Sequence, residues 1–248
     1  MKLTATFILA TAVFLHADVK VSIGEISDRR TTGENFNGME VKLKVSGAEL
    51  SDCKGLRISL KDSTDDAGKP IKINDRFGSK HDSFQKPEKP FAGFDKPKEG
   101  EFEVKLDFEN PARSAKTMKL IGSLDVLIPS RDPASVVTAS PTKDSGRPLV
   151  NPVIKAAGVE ITFDAPKSDS LGYSIKDPNK KVASVEFCSA DGKPLETSGW
   201  SSSGFLGTQS KSVNLKDSPP AGVIAKIYLL TEKSVVSVPL KLDAIALP

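Results

Sequence analysis

Histidine is nearly missing from this chain, with only His16 and His81 among 248 residues. His16 lies in an apolar N-terminal run, so a His-based triad or a histidine-rich zinc site would rest on His81 alone. His81 reads instead as a solvated residue of a Pro/Lys-rich loop. No Gly-rich phosphate-binding motif occurs either. An excess of one charge is also lacking: 35 basic against 32 acidic side chains give a net charge of +3. With the signs interspersed, there is little long-range steering toward nucleic acid or an anionic membrane, and no nucleic-acid partner is expected. Aromatic residues make up 6% and tryptophan occurs once, so any core must be filled mainly by Val, Ile and Leu.

Long apolar runs are confined to the beginning, MKLTATFILATAVFLHADVK. Lys2, the apolar stretch from Leu3 to Leu15 and the small residues before Asp18 follow the order of an export signal, with cleavage expected after Ala17. The run is shorter than the roughly 20 residues that span a bilayer, and Asp18 and Lys20 follow at once. The expected address is therefore the periplasm, the cell surface or the extracellular space. No transmembrane span is expected in the mature chain.

The remainder reads as all-β. In GMEVKLKVSG, residues 38–47, Met39, Val41, Leu43 and Val45 alternate with charges, so one face is apolar and the other wet. GLRISLKD, EFEVKLDFEN and KTMKLIGSLDVLIP repeat this period in the first half. Val159, Ile161 and Phe163, then VASVEFCSA and KSVNLKD, repeat it in the second. VIAKIYLL and SVVSVPLKL read as a closing hairpin, with Pro239 demanding an edge or a bulge.

DDAGKPIK at 65–72 is echoed by SADGKPLE at 189–196, and each is followed by later strands and a Pro-containing turn. Such self-similarity suggests a tandem repeat, with chance likeness of generic hairpins as the alternative. The domains predicted are a first unit at 18–130 and a second at 131–248, after a signal peptide at 1–17. SRDPAS, residues 130–135, reads as a short linker. The segment 78–100 is rich in Pro and carries Phe84, Phe91 and Phe94, which predicts a packed surface loop.

Few residues suggest chemistry. Asp62, Asp65 and Asp66 offer the hard oxygen donors that calcium prefers, but their spacing matches no helix–loop–helix calcium loop. Lys61 and Lys69 compete for the same carboxylates, and turn capping accounts for them. No cofactor or metal is therefore expected, with calcium the alternative. Acidic pairs suited to glycoside cleavage leave a carboxylate-dependent hydrolase as an alternative function. Trp200, in GWSSSGFLG, is the best isolated recognition residue; the other reading makes it a plug over the end of the second unit. Phe205 shares either role. Export permits oxidation, so Cys53 and Cys188 read either as an interdomain disulfide or as two separate thiols.

Taken together, GLRISLKD, DDAGKPIK, ENPARSAKTMKLIG, SLDVLIP, VEFCSADGKPLE, GWSSSG and SVVSVPLKL resemble uncharacterised exported bacterial proteins with tandem immunoglobulin-like β domains. The resemblance implies two tandem immunoglobulin-like β-sandwich domains and supplies no catalytic residues. The function expected is noncatalytic binding or scaffolding, with Trp200, Phe205, Phe91 and Phe94 presented to an envelope or extracellular protein or to a glycan. A purely structural spacer or assembly subunit is the alternative.

Overall fold

Wherever apolar and charged residues alternate, the backbone extends. The computed structural model describes residues 19–31, 37–74, 83–88, 100–205 and 207–248. The predicted signal, His81 and the loop residues Phe91 and Phe94 lie outside the described residues. Five strands occupy the first half: β1 (Lys20–Arg29), β2 (Gly38–Ser46), β3 (Gly55–Asp65), β4 (Glu101–Phe108) and β5 (Thr117–Leu127). The second half adds β6 (Val136–Ala139), β7 (Glu160–Phe163), β8 (Ser170–Lys176), β9 (Val182–Cys188), β10 (Thr197–Phe205), β11 (Thr208–Leu215), β12 (Ile224–Leu229) and β13 (Val235–Ala246). One short helix, Pro152–Ala156, is capped by the Asn151 side chain, which accepts the Val153 and Ile154 N–H groups. No helix among the described residues is long and apolar enough to cross a membrane.

The strands pair into four separate antiparallel sheets, ordered β1-β2-β4, β13-β5-β3, β6-β12-β9 and β10-β11-β8-β7. This overturns the predicted pair of immunoglobulin-like sandwiches: the all-β composition stands, but none of these small sheets is closed or strongly packed as a sandwich. The expected β12–β13 hairpin is also absent. Instead β12 lies between β6 and β9, while β13 crosses back to pair with β5 from Val235↔Leu127 to Ala246↔Thr117. Alternation dictates which face of a strand is buried and leaves its neighbour open, which is why the strands were legible and their partners were not. Pro239 does lie on an edge among the described residues, since β13 ends the sheet ordered β13-β5-β3.

Two hydrophobic clusters organise the chain. The first joins Val41 and Leu43 of β2, Leu106 and Phe108 of β4, Leu56 and Ile58 of β3, Leu120, Leu124 and Val126 of β5, and Leu240 and Ile245 of β13. The second gathers Val137, Ile154, Ile161, Phe163, Tyr173, Phe187 and Ile227. Its rings Phe163, Tyr173 and Phe187 lie 6.1–6.5 Å apart in tilted and edge-on pairs.

The echoed Gly-Lys-Pro segments form the same local structure. In the first, N–H groups of Asp65, Gly68 and Ile71 donate to the carbonyls of Lys69, Asp65 and Ser63; in the second, Ser189, Gly192 and Leu195 donate to Lys193, Ser189 and Phe187. Gly68 and Gly192 take φ of 76° and 83°, the left-handed region that glycine enters without a Cβ penalty. The strands leading in are also placed alike, β3 flanking β5 and β9 flanking β12 at the edge of a three-stranded sheet, whereas the next strands differ: β4 flanks β2 in a three-stranded sheet and β10 flanks β11 in a four-stranded one.

The predicted linker is an ordered corner of two short 3-10 turns, Pro129–Arg131 and Pro133–Ser135. Asp132 caps the second by accepting the Ala134 N–H, and it also accepts the Thr231 hydroxyl at 2.6 Å. Arg131 reaches Glu49 at 2.5 Å, and the Ser130 N–H donates to Asp52 at 2.9 Å.

Gly122 sits where two strands approach closely. It faces Leu60 and Leu240 across the sheet, next to a bulge at Lys61. A Cβ at this position would lie 2.1 Å from the Ser59 carbonyl oxygen and 3.0 Å from the Leu60 Cα. Neither atom belongs to a flexible side chain, so the backbone of β3 would have to move. Gly122→Ala is expected to cost about 2 kcal/mol or more. A lowered urea midpoint should show this, whereas Gly68→Ala, with open space around it, should show only the smaller cost of its positive φ.

Candidate functional site

The acidic turn is occupied by its own backbone. Asp65, buried at 7% exposure, accepts the N–H groups of Ala67 at 3.0 Å and Lys69 at 2.8 Å. Asp66 accepts the Lys116 N–H at 3.2 Å, and Asp62 lies in the β3–β5 ladder opposite Ile121. At the second turn Asp191 accepts the Ser189 hydroxyl and meets the Lys193 ammonium at 2.9 Å. Hydrogen bonding to the charged form, first from Ser189 and then from Lys193, holds its carboxyl below the usual range. Among the described residues no group of three or more His, Cys, Asp or Glu side chains gathers at metal-binding distance.

The acids facing open space are interleaved with lysines. Glu88, Glu103 and Asp107 border a depression of about 180 Å³ together with Lys86 and Lys105. The Lys105 ammonium approaches Glu88 at 3.9 Å. A second depression, of about 400 Å³, is edged by Asp28, Arg30, Pro111, Arg113 and Leu247. There the Asp28 carboxylate is already gripped by the Arg30 guanidinium through Nε and Nη2.

Both cysteines are buried free thiols, so the disulfide alternative does not form in this structure. Cys53 Sγ donates to the Gly55 carbonyl at 3.4 Å, and Cys188 Sγ lies 4.0 Å from the Glu186 carboxylate. Burial pushes the Cys53 thiol up to about 12 and raises that of Cys188, where the Glu186 charge adds to the effect. Such thiols are poor nucleophiles at neutral pH.

Around Glu186 a polar cluster joins residues distant in sequence. Its Oε2 accepts the Tyr228 hydroxyl at 2.8 Å and the Lys54 ammonium at 3.4 Å, while Lys54 Nζ sits 5.4 Å from the centre of the Tyr228 ring. Burial first and the Glu186 hydrogen bond second raise the phenol well above its ordinary value. Tyr228 is therefore held as a neutral phenol donating to Glu186. Sequence reasoning missed this cluster because Glu186 and Tyr228 meet only through the β9–β12 pairing, and Lys54 reaches them from the segment before β3.

Trp200 and Phe205 stand apart from all of these. They lie on β10, an edge strand paired to β11, at 74% and 78% exposure. The predicted plug over the second unit is therefore not what Trp200 forms, and its Gly/Ser surroundings are a nine-residue strand. Residues five apart on a strand point to opposite faces, so the two rings flank the edge without forming one platform. All of β10 is exposed except the half-buried Gly199. On β11 behind it, Val213, opposite Trp200, packs against the second cluster.

Compared with family models, curated proteins and solved structures, the chain has no match in any of the three.

The raised thiol and phenol values have a consequence for stability. Cys53 titrates near 9.0 when solvated and at about 12 when folded; Tyr173 titrates near 10.0 and at about 12. The folded state thus keeps protons that the unfolded chain releases. Stability fully present below about pH 9 should fall as pH rises toward about 12. Melting temperatures measured from about pH 8 to about pH 11 should decline, and the decline should be shallower in Cys53→Ala.

Proposed function

We propose that this chain is an exported, noncatalytic binding or scaffolding protein that engages an envelope or extracellular protein through the edge of the β10–β11 ribbon. The exposure of Trp200 and Phe205 on an unpaired strand edge carries this reading. An exposed edge presents a row of backbone donors and acceptors, and adding a strand is the interaction that satisfies them. Aromatic anchors supply the apolar area that such a contact needs. A protein partner suits this geometry better than a glycan, because the rings lie on opposite faces and cannot stack on one sugar together. Support for a noncatalytic role comes from the side chains able to do chemistry: Asp65 and Asp66 bind backbone donors, and the thiols are raised by burial. The export part of the reading rests on the N-terminal basic, apolar and small-residue pattern.

Immobilised protein should retain an envelope protein from extracts, and Trp200→Ala should weaken that capture by at least about tenfold. The melting temperature should hardly change, since the side chain is exposed. Equal capture by wild type and a Trp200→Ala, Phe205→Ser double variant would refute the assignment.

A further inference from the structure

The eight sheet edges among the described residues are not alike. Among those of seven or more residues, β1 carries Lys20, Glu25, Asp28 and Arg29; β3 carries Arg57, Lys61 and Asp62; β4 carries Glu101, Glu103, Lys105 and Asp107. Likewise β9 carries Glu186, and β13 carries Pro239, Lys241 and Asp243. Charges and prolines on an edge discourage pairing with another chain. The remaining edges, β6 and β7, are only four residues long. β10, TSGWSSSGF, is nine residues long and contains neither a charge nor a proline.

The direction of its free backbone groups follows from β11. The Leu215 N–H donates to Asp169, next to β8, and the Lys216 N–H donates to Glu196, next to β10. Odd-numbered residues of β11 therefore bond toward β8 and even-numbered ones toward β10. The even residues Thr208, Ser210, Ser212 and Asn214 face Phe205, Ser203, Ser201 and Gly199. The backbone groups of Trp200, Ser202 and Gly204 are left pointing outward.

We propose that the partner at this edge is a second copy of the same chain, with β10 pairing antiparallel to β10 about a two-fold axis at Ser202. This deepens the binding reading above and rests on it. In that register the three outward-bonding residues meet one another: Ser202 faces Ser202, and Trp200 faces Gly204. The other positions pair Gly199 with Phe205 and Ser201 with Ser203. Each large ring thus falls opposite a glycine of the other copy, where no side chain obstructs it, and aromatic cover of a strand glycine is a stabilising cross-strand pair. Shifting the axis to Ser201 would set Trp200 opposite Ser202, and shifting it to Ser203 would set Phe205 opposite Ser201, so either shift loses the ring–glycine pairs. The nearest like charges, Lys211 of each copy, would sit three strand spacings apart, about 14 Å, beyond the Debye length at physiological salt. The result is one continuous eight-stranded sheet.

The test uses the single tryptophan as its reporter. Wild-type protein should show concentration-dependent dimerisation by sedimentation velocity, with a blue shift of Trp200 emission over the same range. Ser202→Lys and Ser202→Glu each place like charges directly opposite across the axis and should weaken self-association by roughly tenfold or more. Mixing the two variants should restore a heterodimer and the blue shift. Their melting temperatures as monomers should stay close to wild type, because Ser202 is exposed and its N–H is not used by β11. A wild type that remains monomeric, a Ser202→Lys variant that associates like wild type, or a mixture that fails to pair would each overturn the proposal. Trp200-dependent capture of an envelope protein by a strictly monomeric wild type would sink self-pairing alone and leave the binding function standing. Loss of both would remove the binding function as well.

Discussion

The backbone ladder along β5 is the constraint on which the first hydrophobic cluster depends. On one side β5 holds β3, from which β4 separates it along the chain, and on the other it holds β13, the last strand of the chain. The apolar residues Leu120, Leu124 and Val126 are fully buried because both flanks are filled. Leu240 and Ile245, from the far end of the chain, complete the same cluster. Gly122 permits the close approach at the centre of this arrangement, and the bulge at Lys61 adjusts β3 around it. A contact of such high sequence separation carries a large loop-closure cost, so the closing strand joins an element that its local sequence does not indicate.

A second, smaller set of contacts ties Lys54 to β9 and β12. The even-numbered positions Ser184, Glu186 and Cys188 of β9 face away from Phe187, which is in the second cluster. On that side Tyr228 and Cys188 are buried, and Glu186 collects the Tyr228 hydroxyl and the Lys54 ammonium. A carboxylate taken from water needs such partners, because losing one leaves charge without compensation. Asp132, receiving the Thr231 hydroxyl, does similar work at the corner between β5 and β6. These polar contacts align parts of the chain whose hydrophobic clusters are separate.

The sequence made the strands legible where one face is buried and the other is charged. β2 and β4 emerge from strict alternation and β3 and β5 from alternating stretches within them, and the burial of Met39, Val41, Leu43 and Val45 follows the pattern residue by residue. The immunoglobulin-like expectation failed at the level of pairing: a strand pattern fixes a buried face, while the neighbour is chosen by backbone geometry and distant packing. β10 carries no strand signal in its sequence for a related reason. Its Ser and Gly residues have little intrinsic strand preference and no buried face, so only its ladder to β11 makes it extended. Trp200 and Phe205 were legible as candidates because large aromatics in a Ser/Gly context lack an evident core to fill. That they would face opposite ways followed only once the segment was a strand.

β10 also shows how stability and exposure can diverge along one element. Its rear neighbour β11 is anchored through β8, whose Leu171, Tyr173 and Ile175 belong to the second cluster. The ribbon therefore inherits a fixed position from a core in which β10 itself takes no part. Substitutions in β10 away from its ladder bonds should leave that core intact, whereas comparable changes in β8 remove buried apolar area. A strand held by its neighbour alone can present both faces and a complete edge to another chain. That separation of support from exposure distinguishes β10 from the charged edges elsewhere, where the strand contributes directly to a core and its side chains limit approach from outside.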